Sequence, residues 1–142
     1  MNVKQIMTGG VEMIDANATM ADAAKKMREL DVGFIPVTSD GNIAGVLTDR
    51  DIVVRGVAEG MEPSSAKVSD IISSEVIMAY DDESVEDVEK RMADNKIRRI
   101  VVISRDDEPV GVISLGDLAV QYDEKKAGHT LEEVSTPVGP ER

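Results

Sequence analysis

The chain has 142 residues, 28 of them acidic and 16 basic, for a net charge of −12. It has no cysteine, one histidine (His129), one phenylalanine and two tyrosines, which excludes disulfide and thiolate chemistry, a histidine-rich metal site and a base-stacking surface for single strands. Its field repels nucleic acid and anionic membrane at long range, and no apolar run approaches the roughly 18 residues of a membrane span.

In chain order, the opening MNVKQIMTGG lacks a signal peptide's apolar core, so a soluble cytoplasmic protein is expected. EMI at 12–14 is a short apolar strand. Thr19 starts a helix with Met20, Ala23, Ala24, Met27 and Leu30 on one face, and Asp22 completes a capping box with it. VGFIPV at 32–37 is a buried strand, Ser39 to Asn42 a tight turn with Gly41 suited to positive φ, and IAGVLT at 43–48 the returning partner. DRDIVVRGVAEG, from Asp49, makes a second helix. MEPSSAK at 61–67 is a linker. A strand near 76–79, a helix at 84–95, strands at 98–103 and 109–114 around a hairpin at 105–108, and a helix from 115 follow. After Tyr122 the periodicity fades into a polar tail, 123–142, that allows a short helix around 129–134 and ends loosely.

The chain is written twice. At an offset of 65, VKQIM at 3–7 lies over VSDII at 68–72. Val11 and Met13 then lie over Val76 and Met78, Asp22 and Met27 over Asp87 and Met92, and Ile35 and Val37 over Ile100 and Val102. One extra residue in the second hairpin moves the offset to 66, where Gly45, Val46, Thr48 and Asp51 lie over Gly111, Val112, Ser114 and Asp117. The expected architecture is α/β (α+β): two β-α-β-β-α repeats, a first domain at 1–60 and a second at 68–122. Half of such a unit has too few helices to cover its sheet, so the repeats are expected to pack through their sheets as one pseudo-twofold module.

GVLTDRD at 45–51 and GVISLGD at 111–117 carry the chemistry. A Ser or Thr followed three residues later by an acid is a capping box, and Thr48–Asp51 and Ser114–Asp117 can be only that, as Thr19–Asp22 and Ser84–Asp87 are. Three features favour a ligand. Both boxes stand where a strand turns into a helix, a place that attracts anions. Gly45 and Gly111 permit close approach to the backbone. A carboxylate can also accept both hydroxyls of a ribose while the Ser or Thr serves a phosphate. Arg98 and Arg99 open a strand in the second copy, and alternation lets one of them point into a cleft. Their counterparts are Gly33 and Phe34, so one site is expected to be cationic and the other apolar and permissive. Arg50 and Arg55 read as a solvated helix face.

The doubled repeat, with its FIPV strand and G-h-h-T/S-x-x-D motif (h, apolar), resembles a tandem pair of cystathionine-β-synthase (CBS) domains, and most of all the small stand-alone CBS-pair proteins of bacteria. The strand proline, Pro36, is Val101 in the second copy. The resemblance implies adenosine-containing ligands (AMP, ADP, ATP or S-adenosylmethionine) in two clefts at the seam. It implies no required cofactor, and a homodimer that senses energy state and regulates an effector protein by changing shape. No metal site is expected, because the chain has no cysteine and its one histidine, His129, lies beyond the repeats, and no catalysis is expected, because no nucleophile–base pair, metal cluster or phosphate loop appears. Asp117 and Asp51 would hold ribose, and Ser114 and Thr48 phosphate. Around Asp117 the cleft would comprise Thr8, Val11, Met13, Arg98, Arg99, Gly111, Val112 and Ile113. Around Asp51 it would comprise Ser73, Val76, Met78, Phe34, Pro36, Gly45, Val46 and Leu47. Other readings are an interaction or scaffold module with empty clefts, an enzyme, or a receptor for cyclic dinucleotides.

Overall fold

The structure is a computed structural model that describes residues 1–73, 76–121 and Val134. The expected tail, with His129 and the helix around 129–134, lies outside the described residues apart from Val134. The strands are β1 (Thr8–Gly9), β2 (Ile14–Asp15), β3 (Phe34–Ser39), β4 (Asn42–Thr48), β5 (Met78–Tyr80), β6 (Arg99–Ile103) and β7 (Pro109–Ser114). The helices are α1 (Met20–Leu30), α2 (Asp49–Asp51), α3 (Val85–Asn95) and α4 (Leu115–Gln121), with short 3-10 turns at Val3–Gln5 and Val68–Asp70. The mixed α and β composition expected from the pattern is present.

Two compact units form, and their borders differ from those of the sequence repeats. Unit 1 joins Met1–Val11 to the chain from Ile77 onward, and unit 2 is Glu12–Val76. The leading segment of each repeat therefore completes the other repeat's sheet. In unit 1 the order is β1-β7-β6-β5, with Thr8 opposite Val112 and Gly9 opposite Gly111. In unit 2 the order is β2-β3-β4, and Ser73 bridges to Val46, each amide N–H bonding the other's carbonyl at 3.1 and 3.2 Å. Thr8 and Ser73 are equivalent positions, as are Val112 and Val46, so the same exchange occurs twice in the same register.

Nine core positions repeat in register. Unit 2 buries Ile14, Met20, Ala23, Met27, Ile35, Val37 and Leu47 with Val68 and Ile71. Unit 1 buries Ala79, Val85, Val88, Met92, Ile100, Val102 and Ile113 with Val3 and Ile6. Each name in one set is the offset partner of a name in the other. The leading segments are therefore core elements, held by fully buried side chains whose transfer from water is worth about 1.5–3 kcal/mol each.

Local chemistry explains the turns. Asp40 and Gly41 both have positive φ (52° and 82°), as a two-residue type I′ hairpin requires. The second hairpin spans one residue more. Ser104 accepts from the Asp107 N–H and donates to Glu108, and Asp107 takes the left-handed position (φ 61°). This is the inserted residue that shifts the offset. Pro36 sits in β3 opposite Val46, whose N–H and C=O are both given to Ser73, and β2 pairs only with Val37 and Thr38. The missing N–H of proline thus costs no ladder bond.

One expected helix differs. After Asp51 the chain widens into a π-helix, Ile52–Val57. Ile52, Val53 and Val54 are β-branched in succession and crowd a normal α turn. Gly56, buried, lies so close to Met20 Sδ that no Cβ would fit.

Unit 1 carries a strap that unit 2 lacks. Arg91 donates to both carboxylate oxygens of Glu83 and to the Met78 carbonyl at 2.9 Å, and Glu83 accepts from the Tyr80 N–H at 2.7 Å. Beside it Arg105 pairs with Asp82 and lies 3.9 Å from the Tyr80 ring centroid.

Two predictions follow from these contacts. A Cβ at position 45 would stand 2.5 Å from the Ser73 carbonyl oxygen, and one at 111 would stand 2.6 Å from that of Thr8. Main chain cannot swing aside as a side chain can. Gly45→Ala or Gly111→Ala is expected to cost about 1–3 kcal/mol in urea unfolding; an unchanged midpoint would show that the leading segments are not pinned there. The Glu83 carboxyl is held below the ordinary glutamate range, chiefly by the Arg91 hydrogen bonds and against the effect of burial. Its stabilisation is complete above that range and is lost as pH falls through the lowered folded value. Glu83→Gln should lower stability by about 1–2 kcal/mol at neutral pH, with the gap to wild type closing in acid.

Candidate functional site

Each unit presents one strand-to-helix junction with the same geometry. In unit 1, β7 ends at Ser114 and α4 begins at Leu115. The Ser114 N–H donates to Asp117 Oδ2 at 2.9 Å, and the Asp117 N–H donates to Ser114 Oγ at 3.1 Å. In unit 2 the Thr48 N–H donates to Asp51 Oδ2 at 2.9 Å and the Asp51 N–H to Thr48 Oγ1 at 3.1 Å. Both aspartates are therefore caps. The capping bonds use Oδ2 alone, and a carboxylate has about four lone-pair sites.

Oδ1 points elsewhere in each case. In unit 1 it accepts from Thr8 Oγ1 at 3.4 Å, long for an O–H···O bond. In unit 2 it lies 3.8 Å from Arg55 Nε, while Arg55 Nη1 donates to the Ile72 carbonyl at 3.2 Å. Asp51 is only 16% exposed at its side chain. Arg55, expected on a solvated face, is exposed yet tied to both the motif aspartate and the leading segment of the second repeat. Both Oδ1 contacts are weak enough for a ligand hydroxyl to replace them.

The register fixes what faces these junctions. Arg99 stands opposite Ser114 in β6 and β7, and Phe34 opposite Thr48 in β3 and β4. Directly opposed residues share a sheet face, so the cationic position of unit 1 is matched by an aromatic one in unit 2. Arg98 precedes β6, and its carbonyl accepts from the Leu115 N–H at 3.0 Å. Arg98 and Arg99 are both exposed.

Of the remaining expected residues, Val112, Ile113 and Gly111 are buried in β7, and Pro36, Gly45 and Leu47 in β3 and β4, with Val46 half-buried. Thr8 and Val11 belong with Asp117 in unit 1, and Ser73 and Val76 with Asp51 in unit 2. Met13 falls in unit 2 and Met78 in unit 1, each in the unit opposite to the aspartate it was assigned to. The close approach permitted by Gly45 and Gly111 is taken up by main chain, Ser73 and Thr8, rather than left open.

Sequence reasoning missed Asp49. Its Oδ2 would lie 2.9 Å from a Cβ placed on Gly33, and its Oδ1 accepts from the Arg50 N–H. The permissive position beside Phe34 is therefore overhung by a carboxylate. A comparison of the copies column by column holds the signal: Gly33 with Asp49 in the first, Arg98 with Leu115 in the second. Among the described residues no group of three or more His, Asp or Glu side chains could hold a metal ion, and no helix is long and apolar enough to cross a membrane.

Known proteins share this arrangement. The CBS domain family matches residues 3–56 and 68–123. The CBS domain-containing protein YhcV of Bacillus subtilis is 38% identical over 135 residues, covering 94% of this chain and 95% of its own. Hypoxic response protein 1 of Mycobacterium tuberculosis is 29% identical over 136 residues, covering 95% and 94%. The crystal structure of Hypoxic Response Protein I, with two coordinated zinc ions, superposes with a TM-score of 0.77 at 31% identity, over 85% of this chain and 98% of that one. Two more distant structures share the fold. The CBS pair of MJ0100, in complex with 5′-methylthioadenosine and S-adenosylmethionine, has a TM-score of 0.75 at 23% identity over 88% and 98% of the two chains. CBSX2 in complex with AMP has a TM-score of 0.73 at 21% identity over 88% and 98%. Repeat and fold agree with these matches, and the chain belongs to the CBS domain family as a tandem pair.

Proposed function

We propose that this protein is a non-catalytic regulatory module that binds adenosine-containing nucleotides (AMP, ADP, ATP or S-adenosylmethionine) at the two strand-to-helix junctions. One observation carries the reading: in both units the motif aspartate caps with Oδ2 and keeps Oδ1 in a weak, replaceable contact. A ribose diol is the ligand group that matches such a carboxylate. Arg99, opposite Ser114, supplies a cation for phosphate on the same face. The same fold holds AMP in CBSX2 and S-adenosylmethionine in the MJ0100 pair.

Signalling follows from the exchanged segments. A ligand on Asp117 replaces a bond from Thr8, which belongs to the first repeat. A ligand on Asp51 competes for Arg55, whose other bond holds Ile72 of the second repeat. Occupancy is thus linked to how each leading segment is held, by as much as the ligand's affinity differs between the held and released forms. We assign the protein to the cytoplasm, as a homodimer that reports energy state to an effector protein. The exposed Val53 and Val57, 59% and 58% accessible, support a further contact surface.

The capping bonds themselves favour a second reading, in which the aspartates only tie off helices and the protein is a scaffold. Calorimetry separates the two. Micromolar binding of at least one of AMP, ATP and S-adenosylmethionine is expected, weakened about ten- to a hundredfold by Asp117→Ala or Asp51→Ala. Asp22→Ala, which removes a cap and no proposed ligand contact, should leave that affinity alone. No binding of any adenosine compound at millimolar concentration would leave the scaffold reading standing.

A further inference from the structure

The two junctions are built on one plan and charged differently. In unit 1 the first turn after β7 holds one acid, Asp117, and the strand opposite opens with Arg98 and Arg99. In unit 2 the first turn after β4 holds two, Asp49 and Asp51, and the strand opposite opens with Gly33 and Phe34. The space that a side chain at position 33 would enter is closed by the Asp49 carboxylate, with Oδ2 at 2.9 Å and Oδ1 at 3.3 Å from the place of its Cβ. At the matching place unit 1 carries the guanidinium-bearing Arg98, with Leu115 in the position of Asp49. Where one copy has a cation, the other has an anion. The unit 2 turn carries basic residues of its own, Arg50 and Arg55, of which Arg55 is drawn to Asp51 and the Ile72 carbonyl.

Resting on the nucleotide-binding reading above, we infer that the two sites are selective by charge. Unit 1 takes the phosphorylated adenosine ligand. Unit 2 takes an adenosine derivative without phosphate, either uncharged or carrying a positive sulfonium, and Asp49 is the residue that excludes phosphate there. A dianionic phosphate placed over the start of β3, as Arg98 and Arg99 would hold it over the start of β6, meets a carboxylate across a few ångströms. Juxtaposed like charges oppose binding strongly, while an uncharged group at the same place is unaffected.

The test isolates each site and compares ligands within it. Asp117→Ala leaves unit 2 alone, and Asp51→Ala leaves unit 1 alone. AMP, adenosine and S-adenosylmethionine are titrated into each by calorimetry. The Asp51→Ala protein is expected to prefer AMP to adenosine by at least about tenfold, and the Asp117→Ala protein to show the reverse order. Adding Asp49→Asn, an exposed and nearly isosteric change, to the Asp117→Ala protein should raise its AMP-to-adenosine affinity ratio about tenfold, and Arg98→Gln with Arg99→Gln should lower that ratio in the Asp51→Ala protein. Because each readout is a ratio within one protein, partial loss of folded material does not imitate it. Equal AMP preference at the two sites, or a ratio untouched by Asp49→Asn, overturns charge selection while leaving nucleotide binding intact. Absence of binding by all three ligands to the wild-type protein overturns the reading on which it rests.

Discussion

The main-chain pairing of each leading segment with the last strand of the other repeat is the constraint from which the rest of the architecture follows. Thr8 pairs with Val112 and Ser73 with Val46, and both pairings run past a glycine where a Cβ would collide with a carbonyl oxygen. The pairing places Val3 and Ile6 in the core of unit 1 and Val68 and Ile71 in that of unit 2. The Val46 N–H and C=O point outward to Ser73, so Pro36 stands at a non-hydrogen-bonded pair, and an interior strand accepts a proline at that point. The pairing also delivers Thr8 to Asp117 and Ile72 to Arg55. A duplicated sequence would give two self-contained halves if each leading segment stayed with its own repeat; exchange makes each half depend on the other for its sheet and its core.

Capping occupies only one oxygen of each motif aspartate. A cap needs one acceptor oxygen at the first turn, and its loss costs a helix roughly 0.5–2 kcal/mol. Each carboxylate is anchored by one 2.9 Å bond, from the Ser114 or Thr48 N–H to Oδ2, which leaves Oδ1 outside the cap. The box at α1 uses the same chemistry, the Asp22 N–H donating to Thr19 Oγ1 at 3.1 Å and the Thr19 N–H to Asp22 Oδ2 at 3.2 Å, whereas α3 shows the hydroxyl half alone, Ser84 Oγ accepting from the Asp87 N–H at 3.2 Å. Asp22 and Asp87 are exposed, however, whereas Asp51 and Asp117 are half-buried at junctions that a segment from the other repeat also reaches. Location, rather than the box itself, distinguishes the two pairs.

Much of this was legible in the sequence because it rests on periodicity and on local chemistry. Offsets of 65 and 66 align nine buried residues of one core with nine of the other, since burial at equivalent positions demands equivalent side chains. Thr19, Thr48, Ser84 and Ser114 announce their helices through hydroxyls that only a helix start can use, and Asp40-Gly41 announces its hairpin. What stayed hidden has no period. A two-residue strand at Thr8 and a single bridge at Ser73 are too short to alternate, and their partners lie far along the chain. The π-helix at Ile52–Val57 depends on how Gly56 meets Met20, a tertiary contact. Arg55 looks like any solvated arginine until Ile72 is brought beneath it. Asp49 looks like an ordinary helix-start acid until Gly33 leaves room for it.

Divergence between the copies is concentrated where the cores end. Buried positions keep their apolar character across the repeat, because a misfit there costs stability whatever the function. Around the junctions the pairs Gly33 and Arg98, Phe34 and Arg99, and Asp49 and Leu115 change charge or size. None of these changes disturbs the capping distances, which agree in the two units at 2.9 and 3.1 Å. On the function proposed above, a frame repeated in geometry and altered in charge would take the same ligand scaffold twice and discriminate at its periphery. The exchanged segments also tie each junction to chain that continues into the other unit. Thr8 answers to Asp117 in unit 1, and the chain runs on from Val11 directly into unit 2; Ile72 answers to Arg55 in unit 2, and the chain runs on into β5 of unit 1. If both junctions bind nucleotide as proposed, any coupling free energy carried by this continuity is reciprocal, each ligand changing the other's affinity by the same factor.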